Sequence, residues 1–177
     1  IIQKFQTLTQ NMIRMVNNFL DMAQFQLGKG VVSLRFGVDI VGIMDEIIGE
    51  LQFKAESKGV YVKFQKPERI FGILADREKL KAALFNIIDN AVKYTEKGGV
   101  TIKIKNQISN IKDVATSKML IEVQDTGIGI QKEKLPIIFK EMFERSEQAK
   151  KVSSLGSGVG LYLSGEIIKA HHGKVWV

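Results

Sequence analysis

Two asparagines four residues apart, Asn86 and Asn90, lie in the stretch "NIIDNAVKYTEKGG", with Lys93 three residues further on. On a helix this spacing puts all three on one face. Side-chain amide oxygens can complete the shell of a Mg²⁺ ion that keeps its waters and phosphate ligands, and a neighbouring lysine can meet phosphate charge. The plain alternative is a pair of surface amides. In "DTGIGI", Asp125 closes a stretch that reads as a strand, and Gly127 and Gly129 follow. A carboxylate there can accept from the exocyclic amine of adenine, and the glycines let backbone approach a flat ring; a tight turn accounts for the same letters. "IFKEMFERS" holds Phe139 and Phe143, which suit a core, and Arg145, either a forked partner for phosphate or a solvated charge. "GSGVGLYLS" sets Gly156, Gly158 and Gly160 before a predicted helix, whose free N–H groups would face an anion. No Gly-Lys-Ser/Thr follows and no strand precedes it, which excludes the Walker A and dinucleotide fingerprints. Lys150 and Lys151, in the basic stretch before it, suit a lid over phosphates.

These residues need elements to hold them, and the hydrophobic pattern supplies the elements. Ile1, Phe5, Leu8, Met12, Met15, Phe19 and Met22 form a heptad seam, widened by Ile2, Ile13, Val16, Leu20 and Ala23. With no Gly or Pro before Gly28, one long helix is predicted, of the kind found in four-helix bundles. Such a face needs a partner helix from another chain or from sequence outside this one. After a glycine-marked linker with a possible short strand, Asp39 is placed to cap a helix carrying Ile40, Ile43, Met44, Ile47, Ile48, Leu51 and Ala55, ended by Gly59. "VYVKF" alternates as a strand does. Asp76 is placed to cap the helix of Leu80, Ala83, Leu84, Ile87, Ile88 and Ala91. "VTIKIKNQI" and "KMLIEVQ" read as a strand pair joined by a polar loop around Asn110–Ser117. A helix over Ile137–Phe143, another over about Val159–His171 and a strand "KVWV" complete the reading. This order predicts an α+β domain, one sheet covered by helices on a single face.

Composition narrows the class. The chain has 177 residues, 45% hydrophobic and 25% charged, which suits a globular protein with a real core. No apolar run approaches the roughly 18 residues needed to span a bilayer. There is no cysteine, so disulfides and thiolate metal sites are excluded, and two histidines, His171 and His172, cannot build a multi-histidine zinc centre. The net charge of +7 is spread over most segments without interleaved aromatics, which suits a polyphosphate ligand better than nucleic acid.

Taken in order, Asn-x-x-x-Asn-x-x-Lys, Asp-x-Gly-x-Gly, Phe-x-x-x-Phe-x-Arg and Gly-x-Gly-x-Gly-Leu resemble the N, G1, F and G2 boxes of sensor histidine kinases. These belong to the GHKL superfamily, with its Bergerat-type ATP-binding fold. The resemblance runs from about Met15 to Val177: "MVNNFLDMAQFQLGK" is similar to the end of the second dimerisation helix, and "AHHGKVWV" to the family's His-Gly-Gly strand entry. It implies a two-layer α/β sandwich over residues 31–177, the catalytic ATP-binding domain, and an incomplete dimerisation and phosphoacceptor hairpin over residues 1–30, part of a dimeric four-helix bundle. By the same resemblance Asn90 ligates Mg²⁺ with Asn86 assisting, Lys93 contacts phosphate and Tyr94 lies near the adenine and lid. Asp125 accepts from the adenine amine while Gly127 and Gly129 give close approach. Arg145 faces the terminal phosphate. Gly156, Gly158 and Gly160 let the lid bend around the phosphate chain, with Lys150, Lys151, Ser157 and Leu161 in the same ATP-binding set.

The implied activity is transfer of the γ-phosphate of Mg-ATP to a protein histidine, with Asn86, Lys93 and Arg145 as the catalytic set. The implied partners are a second copy of the chain and a downstream response regulator or receiver domain. The resemblance places the domain in the cytoplasm, with any membrane anchor elsewhere in the parent protein. Related ATPases carry a water-activating glutamate four residues before the metal asparagine; this chain has Asn86 there, and an amide is no general base at neutral pH. The family's acceptor motif, His-Glu/Asp-x-x-x-Pro, is absent, while His171 and His172 stand where the family has a structural turn. Family members also continue with a final hairpin, so ending at Val177 suggests truncation. A degenerate nucleotide-binding or dimerisation module without kinase activity, and a GHKL ATPase, are the alternative readings.

Overall fold

The computed structural model describes residues 2–29, 32–68, 72–107, 118–142 and 158–177. Along the chain run α1 (Ile2–Gln26), β1 (Arg35–Val38), α2 (Ile40–Ser57), β2 (Tyr61–Gln65), β3 (Ile73–Ala75), α3 (Arg77–Tyr94), β4 (Gly99–Gln107), β5 (Lys118–Asp125), a 3₁₀ turn (Lys132–Lys134) and α4 (Gly160–Ala170). They belong to two compact units. One comprises residues 1–34, 75–86 and 130–177; the other comprises 35–74 and 87–129, the boundary falling within α3.

In the second unit Asp39 caps α2 as its residue type predicts, accepting from the N–H groups of Val41 and Gly42. Ile40, Ile43, Met44, Ile47, Leu51 and Ala55 of α2 recur every three or four residues and are buried. β4 buries Val100, Ile102 and Ile104 by alternation and is the middle strand of a three-stranded sheet ordered β2-β4-β5. β2 pairs parallel to β4 with Tyr61 opposite Gly99, and β5 pairs antiparallel with Val100 opposite Asp125. The parallel pair requires a long crossover, and α3 lies in it. β1 and β3 form a separate two-stranded sheet, so among the described residues the strands divide into two sheets where the pattern suggested one. β3, only three residues long, has too little alternation to be read from the sequence.

The first unit is built on helices. Ala83, Leu163 and Ile167 form its buried cluster, with Phe25 and Ile168 packed against them. Asp21 and Lys79 pair at 2.5 Å, and the Arg14 guanidinium lies 3.7 Å above the centre of the buried Phe85 ring. The long N-terminal helix forms as predicted, while Met12, Ile13, Met15, Val16 and Leu20 on it stay exposed. Two expectations fail in this unit. The helix expected over Ile137–Phe143 is a run of turns as far as Met142, and Phe143 lies outside the described residues. Pro136 cannot donate, and the bonds alternate between i−3 (Ile137 to Lys134, Lys140 to Ile137) and i−4 (Ile138 to Lys134, Glu141 to Ile137), so no continuous ladder develops. "KVWV" alternates but has no strand partner among the described residues and is irregular, with Trp176 exposed.

Candidate functional site

In the second unit the last turn of α3 and the turn after β5 meet. The Tyr94 carbonyl accepts from the Ile128 N–H at 3.2 Å, which hangs the Asp125–Gly129 turn on the end of the helix. Thr126 fastens its other side: its hydroxyl donates to the Lys97 carbonyl at 2.8 Å and accepts from the Gly99 N–H at 3.0 Å. Within the turn the Gly127 N–H donates to Asp125 Oδ1 at 2.8 Å, which orients the carboxylate and leaves Oδ2 to accept elsewhere. Asp125 itself is exposed. A Cβ on Gly127 would lie 2.6 Å from the Tyr94 carbonyl oxygen and 2.8 Å from Asp125 Oδ1, so glycine is required for this approach. Gly129 has open space but takes φ +71°, the left-handed region. The predicted Asp125, Gly127 and Gly129 are thus brought together with Tyr94 and Lys93, whose ammonium sits 5.2 Å from the Tyr94 ring centre. Asn90 lies one turn earlier on α3, half-buried. A side-chain amide oxygen is a donor type that fits a hard cation such as Mg²⁺. Among the described residues no group of three His, Asp or Glu side chains could hold a metal.

Asn86 and Gly160 belong to the first unit. The Asn86 amide donates to the Gly160 carbonyl at 3.4 Å, a long bond to the first residue of α4. Gly158 takes φ +70° just before that helix, and Leu161 is half-buried in its first turn. Tyr162 follows, its phenol pKa raised by burial and by the neighbouring Glu166 carboxylate. Ser164, fully buried, lies 3.0 Å from the Ala83 carbonyl and 2.9 Å from the Gly160 carbonyl, tying α4 to α3. Arg145, Lys150, Lys151, Gly156 and Ser157 lie outside the described residues.

His171 holds the far end of α4. Its Nε2 accepts from the Asp76 N–H at 2.9 Å and its Nδ1 lies 2.8 Å from the Ile167 carbonyl, a pairing that puts the proton on Nδ1. His172 takes φ +58°, and the N–H groups of His172 and Gly173 close the helix on the Lys169 and Ile168 carbonyls. Both histidines therefore shape a turn, as the sequence suggested. Asp76 caps α3 by accepting from the Lys79 N–H (3.1 Å) and also accepts from the Ser33 N–H (2.9 Å). Burial pushes its pKa up, but these two N–H groups, with the Lys79 ammonium, hold it below the ordinary carboxylate value. The unfolded chain then binds a proton that the folded chain refuses. Stability from this carboxylate is complete above the ordinary carboxylate range and is lost as pH falls through the depressed folded value. Melting curves from neutral pH downward should show a flatter acid limb for Asp76→Asn than for the parent, since asparagine still caps. An equally steep limb in the variant would locate the acid sensitivity elsewhere.

A family model described as histidine kinase-, DNA gyrase B- and HSP90-like ATPase matches residues 75–177. The chain belongs to this ATPase family. It is 33% identical to the sensor histidine kinase WalK of Bacillus subtilis (strain 168) over 183 aligned residues, 99% of this chain and 28% of that protein. It is 32% identical to the adaptive-response sensory kinase SasA of Synechococcus elongatus over 136 residues, 76% of this chain and 33% of that protein. The chain therefore spans about a third or less of the length of these two relatives. Its structure is similar to that of ShkA, solved at full length in complex with AMPPNP, with a TM-score of 0.70 and 28% identity over 92% of this chain and 32% of that one. The histidine kinase AdeS of Acinetobacter baumannii shares the fold, with a TM-score of 0.65 at 16% identity over 96% of this chain and 72% of that one. The mixed α/β fold is that of histidine kinase ATPase domains. Among the described residues no helix is long and apolar enough to cross a membrane.

Proposed function

We propose that this chain is the ATP-binding catalytic part of a protein histidine kinase, passing the γ-phosphoryl group of Mg-ATP to a histidine outside this sequence. The observation that carries the reading is the Asp125 carboxylate, fixed by Gly127 at the end of α3 with one oxygen left to accept from an adenine amine. Lys93, and by the family resemblance Arg145, meet phosphate charge; by the same resemblance Lys150, Lys151, Gly156, Ser157, Gly158, Gly160 and Leu161 belong to the ATP-binding set on the phosphate side. Asn90, with Asn86, fits a Mg²⁺ ion, which when bound would neutralise phosphate charge. Asn86 in place of a carboxylate base leaves no group there to activate water, which favours transfer over hydrolysis. Residues 1–30 serve as part of the dimerisation hairpin, and the exposed Met12, Ile13, Met15, Val16 and Leu20 await a partner helix from a second copy. A response regulator or receiver domain takes the phosphoryl group downstream, and the domain works in the cytoplasm.

Asn90→Ala should bind AMPPNP equally with Mg²⁺ and with chelator, whereas the parent binds more tightly with the metal. Isothermal titration reads the difference directly, and a variant still tightened by Mg²⁺ removes Asn90 from the metal shell. The activity itself is tested by supplying labelled ATP with a separate histidine-bearing bundle helix. Acid-labile label on that helix means kinase; inorganic phosphate released without transfer means ATPase; binding with neither means a nucleotide-binding module.

A further inference from the structure

All four carbonyls in the last turn of α3 have partners, and none of the donors is another residue of a regular helix ladder. A helix ends with its final carbonyls unmatched, so each must find a donor from outside the helix or from water. The Ala91 carbonyl takes the hydroxyl of the fully buried Thr95 at 2.7 Å. The Val92 and Lys93 carbonyls both take the ammonium of Lys58, at 2.9 and 2.7 Å. The Tyr94 carbonyl takes the Ile128 N–H of the Asp125 turn. Lys58 is itself the C-cap of α2, its N–H bonded back to Ala55 and Glu56, so the ammonium reaches α3 from a fixed base. Nearby, Lys54 and Asp89 form an ion pair that also ties α2 to α3. Burial of the ammonium and the adjacent Lys54 lower the Lys58 pKa, with Glu96 and Asp89 acting the other way.

We propose that Lys58 is a positioning residue of the nucleotide site: by holding the Val92 and Lys93 carbonyls it sets the Tyr94 carbonyl on which the Asp125 turn hangs. The Lys58 ammonium bonds backbone carbonyls rather than Asp125, so it acts through three consecutive peptide groups. The proposal rests on the nucleotide reading of Asp125. Its structural half can be measured without any nucleotide.

The experiment compares the parent with Lys58→Met, which keeps the stem and removes the donors, and Lys58→Arg, which restores charged donors. Amide hydrogen exchange in the ligand-free protein reads the Ile128 N–H against β4 amides such as Ile102 and Ile104. Titration with AMPPNP then reads affinity. In Lys58→Met the Ile128 amide should lose protection while β4 keeps it, and AMPPNP affinity should fall about tenfold, as for loss of a charged hydrogen bond. Lys58→Arg should recover most of both. Unchanged Ile128 protection in Lys58→Met would overturn the proposal, as would lost protection with unchanged affinity. A uniform loss of protection across β4 would also overturn it, since Lys58 would then stabilise the unit as a whole. A parent that binds no AMPPNP while Lys58→Met still frees Ile128 sinks the nucleotide reading instead and leaves Lys58 holding the turn.

Discussion

Asp125→Asn should leave the fold intact and weaken adenine-nucleotide binding by about a hundredfold, the scale of a lost charge-assisted hydrogen bond whose partner is left unmatched. The substitution is nearly isosteric. Oδ1 already accepts from the Gly127 N–H, and the asparagine carbonyl can keep that bond. An amide nitrogen must then stand at the free position, presenting a donor to the donor of an adenine amine. Because Asp125 is exposed and lies at the strand end, the melting temperature should move little. Calorimetric titration with ATP and with GTP separates the possibilities. Selective loss of ATP binding supports adenine recognition, and unchanged ATP affinity removes Asp125 from the site.

Gly127→Ala should cost both binding and stability. The added methyl would stand 2.6 Å from the Tyr94 carbonyl oxygen and 2.8 Å from Asp125 Oδ1, and neither atom is the end of a long flexible chain. Relief requires the turn to leave the α3 end, breaking the bond from Ile128 to Tyr94 and swinging the carboxylate. Overpacking of this kind costs about 2 kcal/mol in stability. Misplacing the carboxylate by about an ångström should weaken AMPPNP binding up to about a hundredfold. Thermal melts and titration together check it. An alanine variant with parental affinity would mean that the turn has slack the close approach does not suggest.

Much of the framework was legible because its signals are local. Asp39 and Asp76 announced two helix starts through cap chemistry, and both side chains accept from the first-turn N–H groups. The alternation of Val100, Ile102 and Ile104 announced β4 and its buried face. The order of Asn90, Lys93, Asp125, Gly127 and Gly129 pointed to a candidate site, and the structure gathers Lys93, Tyr94 and the Asp125 turn at one helix end. What escaped depends on partners distant in sequence. "KVWV" has a strand's alternation, but alternation does not supply a neighbour to pair with. Ile137–Met142 has helical spacing, yet Pro136 and the mixture of i−3 and i−4 bonds leave it as turns. Lys58 carries no pattern at all: a basic residue at a helix end reads as solvated, and its bonds to Val92 and Lys93 cross more than 30 positions of chain. Thr126 hid inside "DTG" for the same reason, its acceptor being the Lys97 carbonyl.

A helix that ends in open carbonyls behaves as though it carried about half a negative charge at that pole, an unfavourable neighbour for a polyanion. Here the pole of α3 is met by a full positive charge from Lys58, while a hydroxyl and a peptide N–H take the remaining carbonyls. The end of α3 is thereby electrically quiet. Under the nucleotide reading proposed above, a phosphate-bearing ligand would approach Asn90, Lys93 and Tyr94 without the helix's own field working against it.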